Sequence, residues 1–565
     1  MPELSFQAIN IIAYSKLILA ITFISFFLAI RYKRKTWLLA LLASISLTAF
    51  YLVFSWSFKK MWWGNNGDEI FIISFLSQVL HDNPLKDFYY HNLPAFYPPL
   101  YFWLTGIFSR PFTNNAITAA KIGVSLTLAF WFFGTFLWQK IYQKFVNQKI
   151  TTNLFAGNGI LLFLFPLIYF FLLDFNDIIL KPYETLIALI LAILLGFMAE
   201  SFSLKKWSLK EYLFFGISGA LLFLSYYFWW FMAIPALFIL VFLSDKKLTN
   251  FIRLSIIGLI MVALSAIYIG PLFVSYLGGI ENWQALFFVP SDFSTFASFS
   301  LFSWRGIIML CGLIGLIIYR HEEFFKANLI LVVTSYLYQF ISIILYISGA
   351  NALQAAKPFL FLATASLALG AAKLFFELWQ TYGKKLSERN QFNIILVILI
   401  FSVYFWPMAS FVDDPVVRRQ IDINQSFPSA FYLSNNIKDN VGDYATRTWL
   451  SSGAPEINAY LNIHYFIAHN PHFSHHASLY SQRMALVNDL SLAEAEKFVD
   501  LMNNSSIDAL LLYKQNSLDY YPLFFWADNY PNGGREEMVK IPKAGIDSLN
   551  WSNVYEDREW LVLLK

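Results

Sequence analysis

One cysteine, Cys311, stands in a chain of 565 residues, and it lies in an apolar run. A disulfide framework and a cysteine-rich metal site are therefore both excluded. Charge is scarce as well: 13% of residues are Asp, Glu, Lys or Arg, against 58% hydrophobic, and the mean hydropathy is +0.54. Soluble domains carry roughly 25% charged residues, so most of this chain is built for lipid. The net charge of +4 is too small to point to nucleic acid as a partner. No Gly-rich loop opens a helix after a strand, which argues against a nucleotide cofactor or a nucleotide sugar. A cleavable leader is not expected either. The basic run Arg31-Tyr32-Lys33-Arg34-Lys35 follows the first apolar stretch instead of preceding it, so that stretch reads as an uncleaved span. Solenoid repeats, lipidation motifs and low-complexity tracts are lacking.

What is present is a series of apolar stretches, each near the length of about 20 residues that crosses hydrocarbon. They fall near 10–30, 37–58, 117–137, 155–173, 183–199, 212–225, 227–243, 254–276, 304–319, 329–348, 354–377 and 393–411. Several are short or merge, which gives roughly 11–13 spans. Lys and Arg gather at Arg31–Lys35, Lys140/Lys144/Lys149, Lys205/Lys206/Lys210, Lys246/Lys247, Arg320/Lys326 and Lys384/Lys385. By the positive-inside rule all six groups face the cytoplasm, and the alternation then runs unbroken. It places the segments 59–116 and 412–565 on the outer side of a plasma membrane.

The chain thus divides into a membrane domain, 1–411, and an extracytoplasmic domain, 412–565. The expected class is mainly α, polytopic, with an α/β or α+β outer domain. In the tail, Ala445–Leu450, Asp508–Tyr513 and Trp560–Leu564 read as strands, and Ser491–Met502 as a helix with Ser491 at its N-cap. Within 59–116, Phe71–Leu80 reads as a helix lying along the membrane surface. Tyr97–Leu104 is too short to span, and Pro98 and Pro99 keep a helix from starting earlier; it reads as a half-helix dipping into the outer leaflet.

Polar groups collect on this outer side. Met61-Trp62-Trp63-Gly64-Asn65-Asn66-Gly67-Asp68-Glu69 sets two carboxylates beside tryptophans that anchor at a lipid–water interface. A charge at membrane depth costs about +2.5–3.5 kcal/mol on insertion scales, so it is wetted or working. Asp68 is the candidate general base and Glu69 its partner in orientation; a divalent cation could sit between them but is not required. The plainer job for Asp68 is to cap the helix that follows. Lys181 and Lys357 each precede a proline at a span mouth, where a helix N-terminus adds positive charge for a phosphate; snorkelling to the interface is the plainer alternative. Arg305 is a third candidate for the phosphate.

Asp174, Asp177 and Glu184 are candidates for an acceptor groove, with ordinary loop solvation as the alternative. The rigid aromatic stretch containing His91, Tyr97 and Tyr101 suits a sugar or a polyprenyl tail, and an interfacial anchor equally. The outer loop 276–303 adds Glu281 and Asp292, and Asn351 and Gln354 enter a later span. Five of eight histidines fall at His464, His469, His472, His475 and His476. The spacing of the last three would allow a metal, but no Cys or Glu completes a helical H-E-x-x-H arrangement. His472 and His475 are read instead as part of a glycan-binding surface on the outer domain.

The acidic pair in the first outer loop, Phe96-Tyr97-Pro98-Pro99-Leu100-Tyr101-Phe102-Trp103, Leu180-Lys181-Pro182-Tyr183-Glu184 and Asn470-Pro471-His472-Phe473-Ser474-His475 together resemble a known group of enzymes. It is the GT-C superfamily of membrane glycosyltransferases that use polyprenyl-phosphate sugars, and within it the galactan arabinofuranosyltransferases. The resemblance implies a pentosyltransferase that moves arabinofuranose from decaprenyl-phosphoryl-arabinose to a cell-wall or cell-surface glycan with inversion. In that superfamily an acidic motif of the first outer loop carries the base, and the matching position is Asp68. Rival readings are the same fold with a mannose, glucose or aminoarabinose donor, a transporter or flippase, and a non-catalytic adaptor.

Overall fold

The computed structural model describes residues 4–32, 35–65, 67–145, 159–204, 206–281, 299–348, 357–383, 397–453, 455–515, 518–528 and 534–565. Asn66, Asp292, Asn351, Gln354, Lys33, Arg34, Lys149, Lys205, Lys384 and Lys385 lie outside the described residues.

Among the described residues up to 413 the regular elements are helices. In order they are α1 (Phe6–Arg31), α2 (Thr36–Ser55), α3 (Asp68–His81), α4 (Leu100–Ser109), α5 (Ala116–Phe145), α6 (Gly159–Leu172), α7 (Phe175–Leu180), α8 (Pro182–Phe202), α9 (Leu209–Ser225), α10 (Trp230–Leu243), α11 (Lys247–Tyr276), α12 (Trp304–Ile318), α13 (Glu323–Ile347) and α14 (Thr364–Gly383). A further helix runs over Val397–Asp413. Their ends follow sequence chemistry. Ser5 caps α1 by accepting the Ala8 N–H, and Ser208 and Glu211 form a capping box at α9. Pro182 sits at the first position of α8, where its missing N–H costs nothing.

Among the described residues a helix lies on each of the twelve apolar stretches, and length and bending separate them. Among the described residues seven helices are long and apolar enough to cross a membrane alone, or up to nine if each bent pair is one span. The stretches 212–225 and 227–243 are such a pair, broken at Tyr226 with a 119° bend. Burial separates the helices by position. The apolar window of α8 is 89% buried, whereas that of α11 is 17% buried and faces outward. Where α12 crosses α14 the backbones nearly touch: a Cβ on Gly312 would meet the Leu367 carbonyl oxygen at 2.2 Å. In lipid, where Leu gains nothing by leaving the bilayer, small residues of this kind permit close helix packing.

The tail is a mixed sheet with helices. Strands β1 (Thr448–Ser451), β2 (His464–Tyr465), β3 (Ala509–Tyr513), β6 (Ser552–Glu556) and β7 (Trp560–Leu564) form one sheet in the order β2-β1-β3-β7-β6. The β2/β1/β3 pairings are parallel and those made by β7 are antiparallel. Strands β4 (Tyr520–Asp528) and β5 (Gly534–Pro542) pair separately. Leu450, Val487, Leu490, Phe498, Met502 and Leu510 belong to the domain's own core. Two local expectations shift. The strand forecast at Ala445–Leu450 begins only at Thr448, because Tyr444–Thr446 turns as a 3₁₀ segment. The helix forecast at Ser491–Met502 is two helices, Tyr480–Leu492 and Ala495–Asn504. Ser491 closes the first, and Glu494 occupies the N-cap position of the second.

In the segment 59–116 the helix forecast at Phe71–Leu80 forms as part of α3 and is covered by protein. Helix α3 is buried from Glu69 to Val79. Its Phe71 ring stacks on Phe473 of the tail, and Asn462 donates to the Gln78 side chain at 3.1 Å. Its polar row Ser74, Ser77 and Gln78 is buried with the apolar residues, and Gln78 finds its partner in the tail instead of water. Helix α4 does start after the two prolines, at Leu100.

Candidate active site

The loop that carries the acidic pair is pinned from three directions. Trp62 donates through Nε1 to Asn176 at 2.6 Å, its carbonyl accepts from Asn424 at 2.8 Å, and Asn65 donates to the Tyr460 hydroxyl at 3.1 Å. The turn itself is held by Glu69, which accepts the Trp63 N–H at 2.9 Å and the Asn65 N–H at 3.2 Å. Gly67 stands before α3 at φ +57°, a conformation that suits glycine. Glu69 is thus a buried support, 1% exposed, with its oxygens turned to backbone. Burial pushes its carboxyl up to about 8, against the N–H groups it accepts.

Asp68 does something different. As the first residue of α3 it makes no capping bond among the described residues; its carboxylate pairs with Lys181. Lys181 is delivered by the short break between α7 and α8, where its N–H donates to the Asp177 carbonyl at 2.9 Å. One turn into α8, Glu184 pairs with Lys357 at 2.8 Å, and Lys357 also stands 5.1 Å over the Tyr226 ring.

These four charged groups line one cavity of about 470 Å³. Its walls are aromatic: Tyr97, Tyr183, Tyr226 and Tyr276 from the helical part, with His472 and Phe473 from the tail. Tyr97 and Tyr183 share a hydroxyl hydrogen bond of 3.0 Å. Asp68 keeps 42% of its side chain accessible, and it lines this cavity together with residues of the tail.

The electrostatics follow from that enclosure. Burial raises the Asp68 carboxyl, yet Lys181 and Lys357 outweigh it and hold it down at about 2. Burial lowers Lys181, and Asp68 with Glu184 reverse this and push it above the usual lysine range. Lys357 goes the other way: burial lowers it, only partly offset by Glu184. His472 is pushed down to about 4, chiefly by burial, and is neutral at pH 7. Two carboxylates and two ammonium groups leave the cavity without net charge.

The structure brings together Asp68, Lys181, Lys357, Glu184, Tyr97 and His472. It places Tyr101 behind Tyr183, ring centroids 4.7 Å apart, and His475 against Phe96 and Tyr276. Arg305 pairs with Asp174 at 2.5 Å, an exposed pair outside the cavity lining. Asp177 neighbours that pair, and burial raises its carboxyl. His91 lies away from the cavity, its ring 4.9 Å from that of His464. The site list drawn from sequence missed Tyr226, Tyr227, Phe228, Phe231 and His476, which also line the cavity. The signal was the aromatic run Tyr226-Tyr227-Phe228-Trp229-Trp230, which interrupts two apolar stretches where the helix breaks.

A family model described as arabinofuranosyltransferase N-terminal matches residues 5–404. The chain belongs to this family and is a multi-pass membrane glycosyltransferase. It is 21% identical over 481 residues to the galactan 5-O-arabinofuranosyltransferase of Corynebacterium glutamicum, covering 78% of this chain and 69% of that relative. Among solved structures it resembles ArnT from Cupriavidus metallidurans in the apo state, with a TM-score of 0.47, 11% identity, and coverage of 88% and 93%. The same protein bound to undecaprenyl phosphate gives 0.46 and 11%, with coverage of 93% and 97%.

Proposed function

We propose that this glycosyltransferase moves arabinofuranose from a polyprenyl-phosphate donor to a cell-wall or cell-surface glycan, on the outer side of the plasma membrane, with inversion. The observation that carries the reading is the convergence of Asp68, Lys181, Glu184 and Lys357 in one aromatic cavity. The alternation of Lys and Arg between spans supports the outward side. Phe231 lines the cavity yet is 57% exposed, so the cavity reaches the apolar face that a polyprenyl chain would follow.

In the resting site Asp68 is a weak base, because Lys181 stabilises its ionised form. A donor phosphate takes Lys181 and Lys357 as partners. Asp68, released from Lys181, is left with the burial that raises it, and becomes basic enough to accept the proton of an acceptor hydroxyl. That oxygen attacks the anomeric carbon from the face opposite the phosphate. The bond from carbon to phosphate oxygen breaks with its electron pair, and polyprenyl phosphate leaves toward the lysines. The proton rests on Asp68, the sugar on the acceptor. Glu184 holds Lys357 in place, and His472 with Phe473 offers the acceptor a polar edge and a stacking face. The lysines supply the positive charge, so this route needs no divalent cation at Asp68 and Glu69.

The test is Asp68→Asn, assayed with decaprenyl-phosphoryl-arabinose and a galactan acceptor in detergent-solubilised enzyme. Transfer should disappear while donor binding persists. Transfer at the unmodified rate would end the proposal.

A further inference from the structure

We propose a second site, independent of the cavity and of the donor assigned to it: Asp82, His91 and His464 bind one divalent transition metal of the zinc class. One ligand atom from each of the three lies within 4.8 Å of the others. His464 Nε2 is 3.9 Å from Asp82 Oδ2, and the two imidazole rings meet edge to face at 63°.

The second observation concerns unmet bonds. His464 is 1% exposed, and neither of its ring nitrogens has a hydrogen-bond partner among the described residues. The Nδ1 of His91 is likewise buried and unpartnered. A buried polar group without a partner carries its full desolvation cost, and a ligated metal meets one such nitrogen on His464 and the one on His91. The carboxylate is already oriented. Gln78, fully buried, donates to Asp82 Oδ2 at 3.1 Å while accepting from Asn462 at 3.1 Å. Bonds of this kind from outside the ligand set fix the direction of metal ligands.

Two imidazoles and a carboxylate suit zinc, with a water in the fourth position. Tetrahedral bonds of about 2.1 Å place ligand atoms about 3.4 Å apart, so the three groups close by side-chain rotation. Lys86 opposes binding, since its ammonium lies 3.4 Å from His91 Nε2; the metal displaces it.

The ligands come from three places: the residue after α3, the loop beyond it, and β2 of the outer domain. Beside them the Tyr465 N–H donates to the Tyr89 carbonyl at 2.8 Å. The metal therefore staples the far end of α3 to the tail. Asp68 begins the same helix, about 20 Å away at 1.5 Å per residue. The site is structural: it holds still the helix that carries the cavity carboxylate.

The full-length protein in detergent, stripped with EDTA and then dialysed against zinc, should retain one equivalent by elemental analysis. Cobalt in its place should give tetrahedral visible absorption, and magnesium should not be retained. His464→Gln, His91→Gln and Asp82→Asn should each lose the equivalent, and Lys86→Gln should bind zinc several-fold more tightly. If His464→Gln fails to fold, the two loop variants decide. Wild-type protein that retains no more zinc than those variants, or variants that keep the full equivalent, would overturn the proposal.

Discussion

Asp174–Arg305 and Glu184–Lys357 are the same chemistry in two settings. The first pair joins 60% and 44% exposed side chains at the open edge of the helices. The second joins side chains only 3% and 16% exposed, in the cavity shared with Asp68 and Lys181. In water, a carboxylate and a guanidinium attract each other weakly and are screened. Enclosed, the attraction is strong, and losing one partner strands a charge. The comparison teaches that a charge near a span mouth in sequence does not by itself enter the cavity: packing encloses one pair and leaves the other in the open.

The largest effect should come from Asp68. Asp68→Asn keeps the shape and removes the proton acceptor, and transfer should fall about 10³-fold, within the usual worth of a general base. Donor affinity measured by equilibrium binding should hold or rise, because Lys181 no longer has a carboxylate to leave. Lys357→Met sharpens the comparison from the other side. It should cost about 10²-fold in transfer and about 3 kcal/mol in stability, as Glu184 is left buried alone. Lys357→Arg restoring stability but not rate would separate the two effects.

Acid should also act on the enclosed region. Burial holds His472 near about 4 and His475 near about 3, so between those values and about 6.5 the unfolded chain binds protons that the folded chain does not. Their contribution to stability is complete above pH 6.5 and declines as pH falls toward 4. A melting temperature that stays constant from pH 7 to pH 4.5 would contradict the burial of these rings. The smallest effect belongs to the exposed pair: Arg305→Ala should change stability by about 0.5 kcal/mol and transfer by less than about twofold. A loss comparable to that of Lys357→Met would move Arg305 into the site.

How far the sequence alone reached is clearest at particular residues. Hydropathy located all twelve apolar stretches, since apolar length is a property of the chain. It could not tell a full span from half of a bent pair at Tyr226, because the break depends on packing against neighbours. Asp68, Lys181, Glu184 and Lys357 stood out because charge is conspicuous in an apolar chain. The cavity tyrosines did not, because 19% of the chain is aromatic and one tyrosine looks like another.

The sequence by itself determined the membrane class, the change of character at the tail, and which charges were worth watching. Only the tertiary structure decided that Glu69 turns to its own loop while its neighbour Asp68 faces Lys181. It alone brought Lys357 to Glu184 across 173 residues of chain and set His464 beside Asp82 and His91. The reason is physical: composition and periodicity fix which surfaces must leave water, but whether two distant charges meet depends on how the helices cross, and no local signal carries that.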